Sequence, residues 1–352
     1  MEEHKLNIKS YGFTDELNST DSLGITARVI AVHKERYALV CDEGECFGRL
    51  KVKEYYKGDE DFPTTGDFVL INYNPTGESQ IIKTLPRRTY FSRRDPTPGR
   101  GEQAVAANFD YVFLMQSLNH DFNPRRLERY LTLAWQSGAI PVIILTKADL
   151  VDSPAEYVSA ISDIAVGVDI LTVSSATGDG LAALEKYVTE GKTIVFLGSS
   201  GVGKSSLVNA LAGEKIMTVN GIREDDSKGR HTTTHRQLVM LKNGAMIIDT
   251  PGMRELGMWD VSSGLSGAFG DVENFLGRCK YRDCTHDSEP GCAIKAAIES
   301  GELPLQRWES YKKLREEAEY ADDKESFMKK KKEWHKGVAK FSKERKKLDK
   351  FR

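Results

Sequence analysis

No run of apolar residues in this chain approaches the roughly 18 that a membrane-spanning helix needs. The opening stretch, MEEHKLNIKS, lacks the apolar core of a secretory signal. These two absences lead to the expectation of a cytoplasmic protein with no membrane partner. Cysteine is scarce: five residues, too few and too unevenly spaced for a disulfide framework. A strong charge of one sign is lacking as well. The formal net charge of −2 excludes reading the whole molecule as a basic nucleic-acid binder. No internal repeat is present.

What is there is an ordinary globular composition, 39% hydrophobic and 29% charged, in a chain of 352 residues. That length suffices for two or three domains with real cores. Charge is unevenly placed. Residues 324–352 hold thirteen Lys or Arg against four Asp or Glu. Residues 25–86 read as short strands, at 25–32, 37–41, 46–52 and 67–72, separated by turn signals such as Asp42-Glu43-Gly44. Strands at this spacing predict a small barrel. Residues 87–108 carry five arginines up to Arg100, with Pro96, Pro98 and Gly99 and no apolar period, and read as a linker or mobile loop.

From Tyr111 the pattern changes. Apolar runs at 111–115, 141–145, 170–173, 193–197 and 245–248 look like buried strands, with amphipathic segments at 124–136 and 155–165 between some of them. Strands alternating with helices predict a parallel α/β sheet covered on both faces. Beyond residue 261 no long strand pattern remains, and helical stretches such as 305–320 follow.

Gly198-Ser199-Ser200-Gly201-Val202-Gly203-Lys204-Ser205 fits GxxxxGK[ST], between the apolar strand 193–197 and a helical segment at 206–212 that opens with Ser206. Glycines let the backbone turn tightly and aim its N–H groups at phosphate oxygens. The helix N-terminus adds a positive dipole end. Lys204 is expected to reach the β- and γ-phosphates and Ser205 to ligate Mg²⁺. Asp249-Thr250-Pro251-Gly252 follows another strand. Its acid suits a carboxylate behind the Mg²⁺, and Gly252 a backbone N–H that senses the γ-phosphate.

Selecting guanine needs a carboxylate that accepts from N1–H and the exocyclic amine. Thr146-Lys147-Ala148-Asp149, directly after the strand at 141–145, has the form xKxD. The first residue is usually Asn; Thr146 keeps a hydroxyl but has no amide. Ser174-Ser175-Ala176, after the strand at 170–173, is a small-residue loop suited to a backbone N–H on guanine O6. The base-reading motifs therefore precede the P-loop, the reverse of the ordinary order. A circular permutation allows this, because all these loops sit at carboxyl ends of strands in one sheet.

Cys279, Cys284, His286 and Cys292 supply three thiols and an imidazole within fourteen residues. A closed S₃N set suits one structural Zn²⁺. Cys41 and Cys46 have no matching partners and read as a core residue and a strand residue.

These motifs, with Gly229-Arg-His-Thr-Thr-Thr234, closely resemble the RsgA/YjeQ family of circularly permuted GTPases, which assist maturation of the small ribosomal subunit. The resemblance runs from about residue 25 to residue 320. It implies an N-terminal OB-fold β-barrel at 25–86, a circularly permuted α/β P-loop GTPase domain at 109–260, and a C-terminal zinc-binding, mostly helical domain at 261–320. An extension at 1–24 and a basic helical tail at 321–352 flank them. Thr146 stands where the family usually carries Asn.

The implied activity is Mg²⁺-dependent hydrolysis of GTP to GDP and phosphate by a monomer that binds the small subunit and its rRNA. Thr233 or Thr234, unranked by sequence, would join Ser205 on Mg²⁺. Small GTPases place a water-orienting Gln after DxxG. Met253 occupies that place and cannot polarise water, so intrinsic hydrolysis is expected to be slow, with His231 a candidate for positioning the water. The basic tail, with Trp334, Phe341 and Phe351 interleaved, suits either a solvated helix or an RNA-binding segment. Two other readings stand beside this one: a nucleotide-gated switch outside ribosome assembly, and an ATPase with a fortuitous TKAD.

Overall fold

The computed structural model describes residues 6–14, 24–33, 36–51, 62–94, 102–217, 237–249, 262–287 and 289–318. The first five strands are β1 (Ile25–His33), β2 (Arg36–Cys41), β3 (Gly44–Leu50), β4 (Phe68–Asn72) and β5 (Ser79–Thr84). Along β1, Ala27, Val29 and Ala31 are buried at the two-residue period of a strand with one face on a core. Ala27 and Val29 share a core with Leu39, Val69, Ile71 and Ile81 from the other strands. β1 pairs antiparallel with β2 and with β4, β2 with β3, β3 runs parallel to β5, and β5 returns antiparallel to β4. The ring β1-β2-β3-β5-β4 is thus closed, in the strand order of an OB-fold. Cys41 is buried in its core and Cys46 lies on β3, as expected.

The described part of the expected N-terminal extension packs against this barrel. A 3₁₀ turn at Ile8–Tyr11 is capped by the Asn7 side chain. The Ile8 N–H donates to Asp42 Oδ1 at 2.7 Å, and Phe13 meets Phe68 edge-on at 5.3 Å.

The segment expected to be a linker is not a loop where it is described. β6 (Tyr90–Arg94) and β7 (Glu102–Ala107) pair as a two-stranded sheet. Arg87 ends in a bidentate ion pair with the fully buried Asp67, at 2.9 Å on each arm, and Phe91 stacks on Phe109 at 4.8 Å. Partners outside the strand satisfy Arg87 and Phe91, so no apolar period marks the segment.

β8 (Tyr111–Ser117), β9 (Ile140–Thr146), β10 (Asp169–Thr172), β11 (Thr193–Gly198), β12 (Gln237–Met240) and β13 (Met246–Asp249) build the α/β sheet, in the order β10-β9-β8-β11-β13-β12. All are parallel except the β12–β13 pair. β8, β9 and β11 are nearly continuous buried runs, as strands covered on both faces should be. β12 also pairs with β1 through Ala31 and Gln237, so barrel and α/β sheet form one eleven-stranded sheet rather than two modules joined by a linker. Arg28, fully buried on β1, reinforces this junction. Its guanidinium donates to the carbonyls of Tyr11, Gly66 and Asn108 and stacks over Phe68, and burial pushes it down to about 9.

Three helices matter for the site. In α1 (Pro124–Gln136), Pro124 opens the helix and the Asn123 side chain caps it, accepting from Arg126 N at 3.1 Å. α2 (Pro154–Ser162) follows β9. α3 (Lys204–Ala212) follows β11, starting two residues earlier than the pattern suggested, and ends at the left-handed Gly213. Leu207 and Val208 of α3 pack on Phe113, Ile144 and Phe196 of the sheet.

The chain divides into two compact units, one holding the barrel and α/β sheet, the other the C-terminal helices. The second contains α4 (Ser262–Ala268), α5 (Gly270–Glu273), α6 (Ala293–Ser300) and α7 at 305–318. Buried Arg307 pairs with Asp271 at 2.9 Å through two nitrogens and lies over the Phe269 ring. The tail at 321–352 lies outside the described residues.

Candidate nucleotide site and metal centre

The register places the carboxyl ends of the parallel strands side by side. Ser117 faces Thr146, Thr172 faces Leu145, Gly198 faces Met115, and Val195 faces Ile248 just before Asp249 closes β13. The P-loop, TKAD and SSA loops therefore emerge from one end of one sheet, where open α/β folds bind ligands. Thr233, Thr234, His231, Gly252 and Met253 lie outside the described residues.

The P-loop leaves β11 at Gly198 and enters α3 at Lys204. Gly201 and Gly203 have φ of 74° and 100°, a left-handed backbone that side chains resist. Ser200 and Gly201 are exposed at the tip, while Val202 is buried in the core. Lys204, Ser205 and Ser206 form the first turn of α3, whose N–H groups and dipole favour phosphate.

Thr146, only 3% exposed, donates its hydroxyl to the Val202 carbonyl at 2.5 Å, with the Gln116 carbonyl at 3.3 Å. Its hydroxyl thus ties the end of β9 to the phosphate loop. Lys147 adopts φ 59° and caps a short 3₁₀ turn (Ala148–Leu150), which leaves Asp149 exposed. Ala148 N donates to Val173 O at 3.1 Å, tying this loop to the next strand. Fully buried Ser174 donates to Asp149 Oδ1 at 2.5 Å, and its hydroxyl also accepts from the N–H groups of Ala176 and Thr177, each at 3.2 Å. One carboxylate oxygen of Asp149 is oriented from below; the other is not engaged by Ser174. Ser175 is half-buried and Ala176 exposed above this turn.

One group at this end had no motif to mark it. Asp121, in the loop between β8 and α1, accepts from the Ser199 hydroxyl and pairs with Arg126 at 3.0 Å. Burial works against ionisation of Asp121, yet Ser199 and Arg126 outweigh it and hold the carboxyl below its ordinary value.

In the second unit, Cys279, Cys284, His286 and Cys292 bring their ligand atoms within 4.8 Å of one another. A tetrahedral Zn²⁺ with ordinary bond lengths has edges of about 3.8 Å between sulfurs and about 3.6 Å between sulfur and nitrogen. The Cys279 and Cys292 sulfurs are 4.0 Å apart, and each lies 3.4 Å from His286 Nδ1. These residues fit the ion. Burial lowers the His286 pKa, favouring the neutral imidazole that ligation requires. Burial opposes ionisation of Cys279, but the Ala293 N–H, 3.4 Å from its sulfur, and the neighbouring thiols bring it below its ordinary value.

A family model described as RsgA GTPase matches residues 84–259. Among curated proteins, the small ribosomal subunit biogenesis GTPase RsgA 2 of Listeria monocytogenes serotype 4b (strain F2365) is 45% identical over 327 residues, covering 91% of this chain and 92% of its own. The crystal structure of YjeQ from Thermotoga maritima superposes with a TM-score of 0.61 at 26% identity, over 84% of this chain and 98% of that one. YloQ, a circularly permuted GTPase, shares the fold at 24% identity with a TM-score of 0.58, over 87% and 98% of the two chains.

Proposed function

This chain belongs to the RsgA family of GTPases, and from that footing we propose that it binds the small ribosomal subunit and couples GTP hydrolysis to a late step of the subunit's maturation. One observation carries the nucleotide half of this reading. Asp149, oriented by Ser174, and the P-loop, braced by Thr146, lie at the same end of one sheet despite their reversed order in the chain.

In this reading guanine enters between Lys147 and the Ser174-Ser175-Ala176 turn. The Asp149 carboxylate accepts from the base N1–H and amine. The N–H groups of residues 199–205 receive the phosphates. Water attacks the γ-phosphorus as its bond to the β,γ-bridging oxygen breaks, and the charge developing on that oxygen falls to Lys204 and the P-loop amides. Ser205, with Thr233 or Thr234, would hold Mg²⁺, whose charge neutralises the β- and γ-oxygens. Asp249, the last residue of β13, would supply a carboxylate to the shell around Mg²⁺. His231 is the residue proposed to orient the water when the subunit is bound. The Cys279, Cys284, His286 and Cys292 set would hold a structural Zn²⁺. The OB-fold barrel, the arginine-rich segment 87–101 and the basic 324–352 tail are the proposed rRNA contacts of a cytoplasmic, monomeric factor.

Co-sedimentation with purified small subunits tests the partner. Binding should be stronger with a non-hydrolysable GTP analogue than with GDP and should weaken steeply with salt. The Asp149→Asn variant should lose GTP and gain tolerance for xanthosine triphosphate. Wild-type protein that ignores the subunit in every nucleotide state, or that binds ATP as well as GTP, would overturn the reading.

A further inference from the structure

The loop between β8 and α1, residues 118–123, carries none of the nucleotide motifs, yet it lies against the beginning of the P-loop. Its own shape is over-determined. Gln116 clamps the backbone of Asn123 in both directions, at 3.0 and 2.8 Å. The Asn119 side chain accepts from Ser117 Oγ at 2.9 Å and from Asp121 N at 3.0 Å. Leu118 N donates to Thr146 O at 2.9 Å, and Phe122 packs edge-on against Tyr157 of α2 at 5.0 Å. None of these bonds uses the Asp121 carboxylate. That group reaches out to Arg126 on one side and to Ser199, the second residue of the P-loop, on the other.

A glycine-rich loop must be held somewhere if its N–H groups are to converge on phosphate before the ligand arrives. This one is anchored at both ends. At the far end, Val202 is sunk in the core and its carbonyl takes the Thr146 hydroxyl. At the near end, the Ser199 hydroxyl holds the Asp121 carboxylate. Between these anchors only Ser200 and Gly201 are exposed. A bare carboxylate here would repel a phosphate. Arg126 offsets that charge, so Asp121 serves as an acceptor without setting a negative field against the ligand.

We propose that Asp121 is a positioning residue for nucleotide binding: fixed by Arg126, it holds the Ser199 hydroxyl and so sets the backbone path of the phosphate loop. The inference rests on the P-loop reading above. Because Asp121 acts through the loop on phosphates common to substrate, transition state and product, its removal should raise KM and the dissociation constants of GDP and GTP by similar factors. It should move kcat less.

The experiment is a double-mutant cycle on GDP affinity with full-length protein: wild type, Asp121→Ala, Ser199→Ala and the pair, with Asp121→Asn added. Each single alanine variant should weaken GDP about tenfold, the scale of one charge-assisted hydrogen bond. The pair should be no weaker than either single variant, and Asp121→Asn, which keeps an acceptor, should recover part of the loss. Ser199→Ala changes only a half-exposed hydroxyl, so it tests the contact even if Asp121→Ala folds poorly. Wild-type affinity in Ser199→Ala, or independent losses that multiply in the pair, would overturn the proposal. Lys204→Ala serves as the control. If it bound GDP as tightly as wild type, the P-loop reading itself would fail and take the proposal with it.

Discussion

Replacing Thr146 by valine would separate the two jobs that a residue at the head of xKxD can have. Valine matches threonine in shape, so no cavity opens in the buried position; what disappears is the donor. Val202 cannot swing its carbonyl toward water, because its side chain is locked in the core at 2% exposure. The Gln116 carbonyl at 3.3 Å is a second acceptor and offers no replacement proton. A buried acceptor that loses its neutral partner costs about 1–3 kcal/mol. Part of that loss falls on the nucleotide-free fold and shifts its denaturation midpoint. We expect about 1–2 kcal/mol to appear in binding, or about 5–30-fold weaker nucleotide. The factor should be the same for GDP and for IDP, which lacks the exocyclic amine, because the hydroxyl acts on the phosphate loop. Calorimetric titration of both nucleotides into wild type and Thr146→Val reads the two numbers directly. Unchanged affinity for both would refute the brace. A changed GDP-to-IDP ratio would refute it differently, by putting the hydroxyl on the base.

Two further predictions follow from packing. Purified protein should hold one Zn²⁺, and chelation or Cys284→Ser should loosen the C-terminal unit, since metal binding and folding are coupled in closed sites. Trp308 is buried and meets His286 edge-on at 5.4 Å, so its fluorescence should shift to the red as the metal leaves; a zinc-free protein whose emission ignores chelators would contradict this. Gly66 has φ 94°, and a Cβ there would lie 2.1 Å from the Ala107 carbonyl oxygen and 2.9 Å from Ile248 Cδ1. Gly66→Ala should therefore cost about 2–4 kcal/mol in urea unfolding, from left-handed backbone and overpacking together; a loss under about 0.5 kcal/mol would mean the junction relaxes freely.

The motifs that name the chemistry were legible in the chain because each is short. The glycines of the P-loop and the Asp of TKAD stand within a turn of the strand that presents them, and covalent spacing carries the whole signal. Cys279, Cys284, His286 and Cys292 fall within fourteen residues, so a cluster that could hold a metal ion needs no long-range contact. Buried strands such as β8, β9 and β11 announce themselves as apolar runs, and α1 as an amphipathic segment. What the spacing could not carry is which loop lies beside which. The short strand β12 seals barrel to sheet through one pairing with β1, about two hundred residues away along the chain. β6 and β7 hid in an arginine-rich stretch because they pair with each other as a two-stranded sheet and carry no apolar period. Asp121 is 78 residues from Ser199, and Thr146 is 56 from Val202. Those bonds exist because β8 lies between β9 and β11 in the sheet. Strand order is set by the collective burial of many side chains, and a hydrogen bond between two loops is one of its consequences. The residue types that can do the chemistry are therefore written locally, while the bracing that aims them depends on neighbours that only the assembled sheet brings together.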